Sequence, residues 1–339
     1  MKQIENTAAP LVHEYRGKTL DLIHYGHIAV VDEKSRLICG AGDPRAVVFY
    51  RSASKPIQAL PAIHHGLDAE YGLTDEETSI FAGSHAGEDF HIAALESILS
   101  KTGLSEDMFI MKPAAPSNSK TNEERILNRL PKRKLFHNCS GKHAALLLLQ
   151  RKLGGRTEDY WKLDSPAQGE VVRAIKTVAE TDRLEHGVDG CGVPVFAVGL
   201  EHIAISFKNL ARPAAIRDEA LARAAERFIP RMHAYPLMVA GTGRICSHLN
   251  RDANIVAKYG ANGVYGLALR EEGIGVAFKV TDGTERACPI IVMDILRALG
   301  CLSPETERRL EELNPSVVKN DNETPVARRE TVFRIVTRR

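Results

Sequence analysis

At 339 residues, with 44% hydrophobic and 26% charged residues, the chain has a globular composition and room for one or two domains. Its formal net charge of +2 gives no electrostatic reason to expect nucleic acid or an anionic membrane as partner, and no apolar stretch approaches the ~20 residues that cross a bilayer. The first six residues are polar and mixed in charge, unlike a signal peptide, and the six cysteines (39, 139, 191, 246, 288 and 301) lack close spacings, so free thiols and a cytoplasmic location are expected.

The first fifty residues read as a small antiparallel sheet. Residues 27–31 and 36–39 flank the polar turn Asp32-Glu33-Lys34-Ser35, which is hairpin chemistry, and residues 46–50 supply a third strand. A helix is expected over about 54–65. The middle of the chain is mostly helical. Residues 88–101 carry Phe90, Ala94, Leu95, Ile98 and Leu99 on one face and stop at Gly103. Residues 140–153 form a helix with a buried run at 144–149, ended by Gly154-Gly155. Asp164 or Ser165, with Pro166, opens another with Val171, Val172, Ile175 and Val178 inward. Leu200, Ile203, Ala204, Phe207 and Leu210 make a further stripe. Strands return at 263–269 and 274–280, around Arg270-Glu271-Glu272-Gly273. Residues 289–299 read as a buried helix, Ser303-Pro304 opens an amphipathic one, and 332–336 reads as a closing strand. The fold class is therefore α/β (α+β), within a single unit spanning 1–339. Both chain ends, about 10–52 and 254–339, form an antiparallel sheet packed with helices, and about 53–253 is largely helical.

Ser52-Ala53-Ser54-Lys55 sits where a strand hands over to a helix. Residues three apart on a helix share a face, so a neutral Lys55 amine can take the Ser52 proton and create a nucleophile. Pro56 fixes the register, because it belongs in a first helical turn. The spacing alone is common: Ser117-Asn118-Ser119-Lys120 also fits, in a segment read as a loop. Chain order adds weight. Serine acyl-enzymes of the penicillin-recognising kind place a second serine and then a Lys-Thr-Gly element downstream; here Ser84 and Lys258-Tyr259-Gly260 follow. Lys101-Thr102-Gly103 reads as a helix cap, and the basic run Lys132-Arg133-Lys134 as a solvated loop. Cys139 and Cys191 lie in glycine-bearing turns, with His137, His143 and Asp189 as further candidate donors. Their spacing matches no common zinc pattern, so two buried thiols remain the plainer reading of those residues alone.

The chain resembles the asparaginase II family, the third structural class of asparaginases. The resemblance rests on Arg51-Ser52-Ala53-Ser54-Lys55-Pro56-Ile57-Gln58-Ala59-Leu60, Ser84-His85 with Glu88, Asp89 and His91, and Asn138-Cys139-Ser140-Gly141-Lys142-His143. Asp189-Gly190-Cys191, Met238-Val239-Ala240-Gly241 and Lys258-Tyr259-Gly260-Ala261 complete it. It implies a serine β-lactamase/glutaminase-like fold, a homodimer, and hydrolysis of L-asparagine to L-aspartate and ammonia. It implies two serine-lysine pairs, Ser52 with Lys55 and Ser84 with Lys258, and a zinc ion held by Cys139, Lys142 and Cys191. Arg51, His143 and Asp189 adjoin these motifs and are expected to face the charged ends of the substrate. Two rival readings use the same residues: a glutaminase or penicillin-binding-type hydrolase, and a zinc-stabilised binding protein without catalysis.

Overall fold

The computed structural model describes residues 7–335. The polar opening at 1–6 and Val336, the last residue of the expected closing strand, lie outside the described residues. The chain divides into two compact units, Met1–Ala53 with Ala197–Ala211 and Asn254–Arg339, and Ser54–Phe196 with Arg212–Ala253. Its strands are β1 (Ala9–Arg16), β2 (Thr19–Val31), β3 (Leu37–Ala41), β4 (Val47–Phe49), β5 (Glu185–Val188), β6 (Pro194–Gly199), β7 (Ile255–Gly260), β8 (Val264–Leu269), β9 (Ile274–Val280), β10 (Val317–Lys319) and β11 (Pro325–Thr331).

The first unit is built on an 8-stranded sheet in the order β10-β11-β1-β2-β9-β8-β7, with β3 paired to β2. The pairings among these strands are antiparallel, and the two chain ends meet at Val12, which lies opposite Thr331. The hairpin of β2 and β3 turns on Asp32, whose carboxylate accepts from the amides of Lys34 and Arg36 at 3.0 and 2.9 Å. Three expectations shift. The closing strand is β11, ending at Thr331 rather than running over 332–336. β4 leaves the main sheet and pairs with residues 197–199 of β6. The stripe from Leu200 forms a helix (Leu200–Ala211) that belongs to this unit and packs on β8 and β9, although sequence order placed it in the helical region.

That packing is close because of glycine. A β-carbon on Gly275 of β9 would lie 2.1 Å from the carbonyl oxygen of Ala204, a backbone atom that cannot swing aside.

The second unit is helical. Its centre is the helix Ser140–Lys152, in which every residue from Ser140 to Gln150 is buried. An apolar surface on all sides requires cover on all sides, and the helices Lys55–His64, Asp89–Thr102 and Pro166–Val178 provide it. Ser165 caps the last of these through the amide of Gln168, at 3.3 Å. The helix Glu219–Ala234 packs on Lys55–His64, and its Arg227 and Arg231 both reach Asp68 Oδ2, at 2.6 and 2.8 Å. In the run at 132–134, Lys132 is exposed as a solvated loop requires, while Arg133 and Lys134 act as a brace. Arg133 pairs with Glu96 and Glu106, while Lys134 Nζ donates to the carbonyls of Asp107 and Phe109.

The variant Gly275→Ala is expected to lose about 1–3 kcal/mol of stability in urea unfolding, since the helix must lift from the sheet to admit a methyl group. An unchanged midpoint would contradict this packing.

Candidate active site and metal cluster

Ser52 and Lys258 belong to the first unit. Ser52 is buried in the one-turn helix Arg51–Ser54, which Arg51 enters with a positive φ of 49°, a conformation that non-glycine residues rarely adopt. Lys258 is buried on β7, and its Nζ donates to the Tyr259 carbonyl at 2.9 Å. Side chains two apart on a strand share a face, so Lys258 points the same way as a β-carbon on Gly260 would. That β-carbon would meet Tyr50 O at 2.4 Å and Ala53 N at 3.1 Å. The face of β7 that carries Lys258 is therefore turned toward the segment that holds Ser52.

Lys55 and Ser84 belong to the second unit. Lys55 opens the helix Lys55–His64 and is fully buried. Its Nζ donates to Gly83 O at 2.5 Å, Ser84 Oγ at 3.1 Å and Asn138 O at 3.1 Å. Burial pushes this amine below its usual value. The Cys139 sulfur opposes the shift and the Lys142 ammonium adds to it. The three oxygens can satisfy the three N–H bonds of an ammonium, and once burial has drawn off a proton the two carbonyls can keep the remaining N–H bonds while the lone pair accepts from the Ser84 hydroxyl. The contact joins Lys55 to Ser84, a pairing different from the expected pairs of Ser52 with Lys55 and Ser84 with Lys258. The rival match at 117–120 also lies at a helix start, contrary to its reading as a loop, because Asn118 caps a helix Ser119–Leu127. What separates the two lysines is burial: the Lys120 side chain is 85% exposed.

Cys139, Asp189 and Cys191 also meet in this unit. Their sulfur and carboxylate donor atoms all lie within 4.8 Å of one another. Lys142 Nζ is 3.2 Å from Cys191 Sγ. Cys139, Asp189 and Cys191 thus make a possible metal-binding group, with the Lys142 amine against one of its sulfurs. Two sulfurs, a carboxylate and a nearby amine are donors that zinc accepts, so these residues fit the ion. Burial works against a charged Lys142, but Cys191, Cys139 and Asp189 outweigh it and hold the amine above its usual value. To ligate a metal, the lysine would have to shed a proton. The proximity of the two sulfurs holds Cys139 well below its usual value and, with burial, pushes Cys191 up.

Histidines hold this ground in place. The Gly87 amide donates to His85 Nδ1 at 3.1 Å, which leaves the proton on Nε2 to be given to Ser140 Oγ at 2.7 Å; Ser140 Oγ in turn donates to Leu135 O. His85 therefore ties the residue after Ser84 to the residue after Cys139. His91 stacks on it at 5.0 Å, accepts from the Glu88 amide and donates to Leu237 O. His143 Nδ1 pairs with Tyr160 OH at 2.7 Å, the same hydroxyl that accepts from the Ile110 amide, and its buried Nε2 has no partner. Burial depresses all three rings, His91 to about 4 and the others well below 6.5. The cage carbonyls of Gly83 and Asn138 were invisible to sequence reasoning, since a backbone oxygen leaves no residue signature.

The sequence profile described as L-asparaginase II matches residues 12–331. The chain belongs to the L-asparaginase II family. No curated protein matches it in sequence. Among solved structures, it is similar to a β-lactamase from Mycobacterium bovis at 14% identity and a TM-score of 0.42, over 82% of this chain and 95% of that one. A Bacillus glutaminase is similar at 14% identity and a TM-score of 0.35, over 77% and 84%. Family membership makes the chain a hydrolase with a small-molecule substrate. Among the described residues, no helix is long and apolar enough to cross a membrane.

The three neutral imidazoles set an acid limit on this asparaginase II chain. Each binds a proton more readily once unfolded, so stability falls as pH drops below the unfolded value near 6.5. At full effect each ring contributes a slope of about 1.4 kcal/mol per pH unit. Urea unfolding of metal-free protein between pH 7 and 5.5 is expected to show this loss, and His91→Gln to make it shallower. A pH-independent midpoint would contradict the buried neutral state.

Proposed function

We propose that the protein is an L-asparaginase acting through a serine acyl-enzyme, releasing ammonia from L-asparagine and then hydrolysing the aspartyl ester. The observation that carries this reading is the buried Lys55 amine bonded to the Ser84 hydroxyl, in a chain of the asparaginase II family. Ser52, three residues before Lys55, attacks the side-chain amide carbon and Lys55 takes its proton. The negative charge on the tetrahedral oxygen is met by backbone amides, that of Ser52 among them. The proton then moves from Lys55 to Ser84 Oγ and on to the departing nitrogen, and ammonia leaves. Water attacks the ester with the same groups working in reverse. Lys258, on the strand face turned toward the Ser52 segment, offers an amine N–H to the developing alkoxide.

Cys139, Lys142, Cys191 and Asp189 would hold a zinc ion, which would supply a fixed positive charge for orienting an anionic substrate group. Asp189 fits this role better than that of a direct substrate contact. Its carboxylate is already among the donor atoms of the cluster. The chain itself supplies the nucleophile, so water activation by the metal is not needed.

The Lys55–Ser84 hydrogen bond favours one second reading, in which Ser84 is the acylated residue. Mass spectrometry of protein trapped with a slow ester-forming substrate separates the two, by locating the adduct on Ser52 or on Ser84. In an ammonia assay, Ser52→Ala and Lys55→Arg are each expected to lower kcat at least about 1,000-fold, since an arginine side chain does not deprotonate. Wild-type kcat/KM should rise with pH to a plateau as Lys55 loses its proton, the direction required of a base. Discrimination against glutamine, one methylene longer, is expected to be about 1–3 kcal/mol. Comparable ammonia release by Ser52→Ala and Ser84→Ala variants would reject the acyl-enzyme altogether.

A further inference from the structure

All six cysteines are free thiols. Cys39, Cys288 and Cys301 belong to the first unit, and Cys246 sits in the short helix Ile245–Leu249 of the second. Cys139 and Cys191 are different. Their sulfurs lie within 4.8 Å of each other and both residues are buried. We propose that Cys139 and Cys191 form a reversible dithiol–disulfide pair, so that the two sulfurs suited to a metal ion are also a redox site when no ion holds them.

Distance supports the pairing. A tetrahedral zinc ion with bonds of about 2.3 Å would hold its two sulfurs about 3.8 Å apart. A disulfide requires about 2.05 Å. The present limit of 4.8 Å leaves at most a few ångströms to close. The segment that carries Cys191 has room to move. It is a tight turn in which the Asp189 amide donates to Val193 O and the Gly192 amide to Asp189 O. A β-carbon on Gly190 would meet nothing within 4 Å, and one on Gly192 would find its nearest neighbour, Ile110, at 3.5 Å. Cys139 stands just before the first turn of the helix Ser140–Lys152, with its amide held by His137 Nδ1 at 3.1 Å. Space to shift toward its partner therefore lies on the Cys191 side, beside Gly190.

The oxidant is a hydroperoxide. One sulfur attacks the peroxide oxygen, breaking the O–O bond to give a sulfenic acid. The second sulfur then displaces that oxygen as water and the S–S bond forms. With hydrogen peroxide, the two thiols together lose two electrons and two protons and the peroxide becomes two waters. A dithiol reductant reverses the step. Neither sulfur of a disulfide is a thiolate ligand, so oxidation and metal binding exclude one another. Lys142, left without its sulfur partners, retains Asp189 as its counter-charge. The protective half of this inference rests on the metal reading above, whereas the pairing of the two thiols does not.

The test uses the full chain, with and without one equivalent of zinc. Treated with stoichiometric hydrogen peroxide, the metal-free protein is expected to lose two titratable thiols and about 2 Da, reversed by dithiothreitol. Its proteolytic map should show one cross-link, between the peptides of Cys139 and Cys191. Zinc is expected to slow the thiol loss at least about tenfold. The variant Cys191→Ser should show no 2 Da loss; because that variant risks misfolding, the wild-type peptide map carries the assignment. A cross-link between other cysteines, or oxygen addition with no cross-link, would overturn the pairing. Equal rates with and without zinc would overturn the competition between metal and oxidant, and failure to bind zinc would remove the metal reading while leaving the thiol pairing intact.

Discussion

The second unit depends on one buried amine. Lys55 lies wholly out of solvent, and an isolated ammonium there would be severely penalised. Two outcomes are open to such a group: pairing with enough acceptors to stay charged, or loss of its proton. The cage of Gly83 O, Asn138 O and Ser84 Oγ can serve both, and burial favours the second: two carbonyls can use both N–H bonds of a neutral amine and leave its lone pair for a hydroxyl. The same three contacts fasten the start of a helix to two distant turns. A group that organises the unit is thus also the group placed to move a proton.

The metal cluster shares that scaffold. Asn138, which supplies a carbonyl to Lys55, precedes Cys139, and Ser140 is the anchor for His85, the neighbour of Ser84. A shift of the 138–140 segment would therefore disturb the serine, the lysine and the cluster together. The local electrostatics follow the same economy. Lys55 is close enough to feel Lys142, and Lys142 stays charged only because two sulfurs and a carboxylate surround it. Filling the cluster with a metal ion, or oxidising its thiols, would change the field at Lys55.

Much of this was legible in the sequence, and the exceptions have physical reasons. Helix ends with explicit stops were read well: Gly103 adopts φ 67° after the helix Asp89–Thr102, and Ser165 caps where Pro166 demands it. The hairpin at Asp32 carried its own turn chemistry. Strands without a local signal were lost. β1 and β11 form because they pair with each other and β1 with β2, across more than three hundred residues of sequence, and β4 was assigned to the wrong sheet because its three residues do not reveal their partner. The site divided similarly. The Ser-Lys spacing marked Ser52 and Lys55, but burial, rather than helix position, distinguishes Lys55 from Lys120. Asp189 appeared among the candidate donors by proximity, and only the turn at 189–193 places its carboxylate among the sulfurs.

The protonation state of Lys55 can be observed directly, without reference to substrate or metal. Lysine labelled with 13C at the ε carbon gives one NMR signal per side chain, and its shift reports whether the amine is charged. The Lys55 signal, assigned by its loss in Lys55→Arg, is expected to titrate clearly below the solvent-exposed lysines, which change near 10.4. A Lys55 that stays charged until the exposed lysines titrate would contradict the neutral amine on which the proposed chemistry depends.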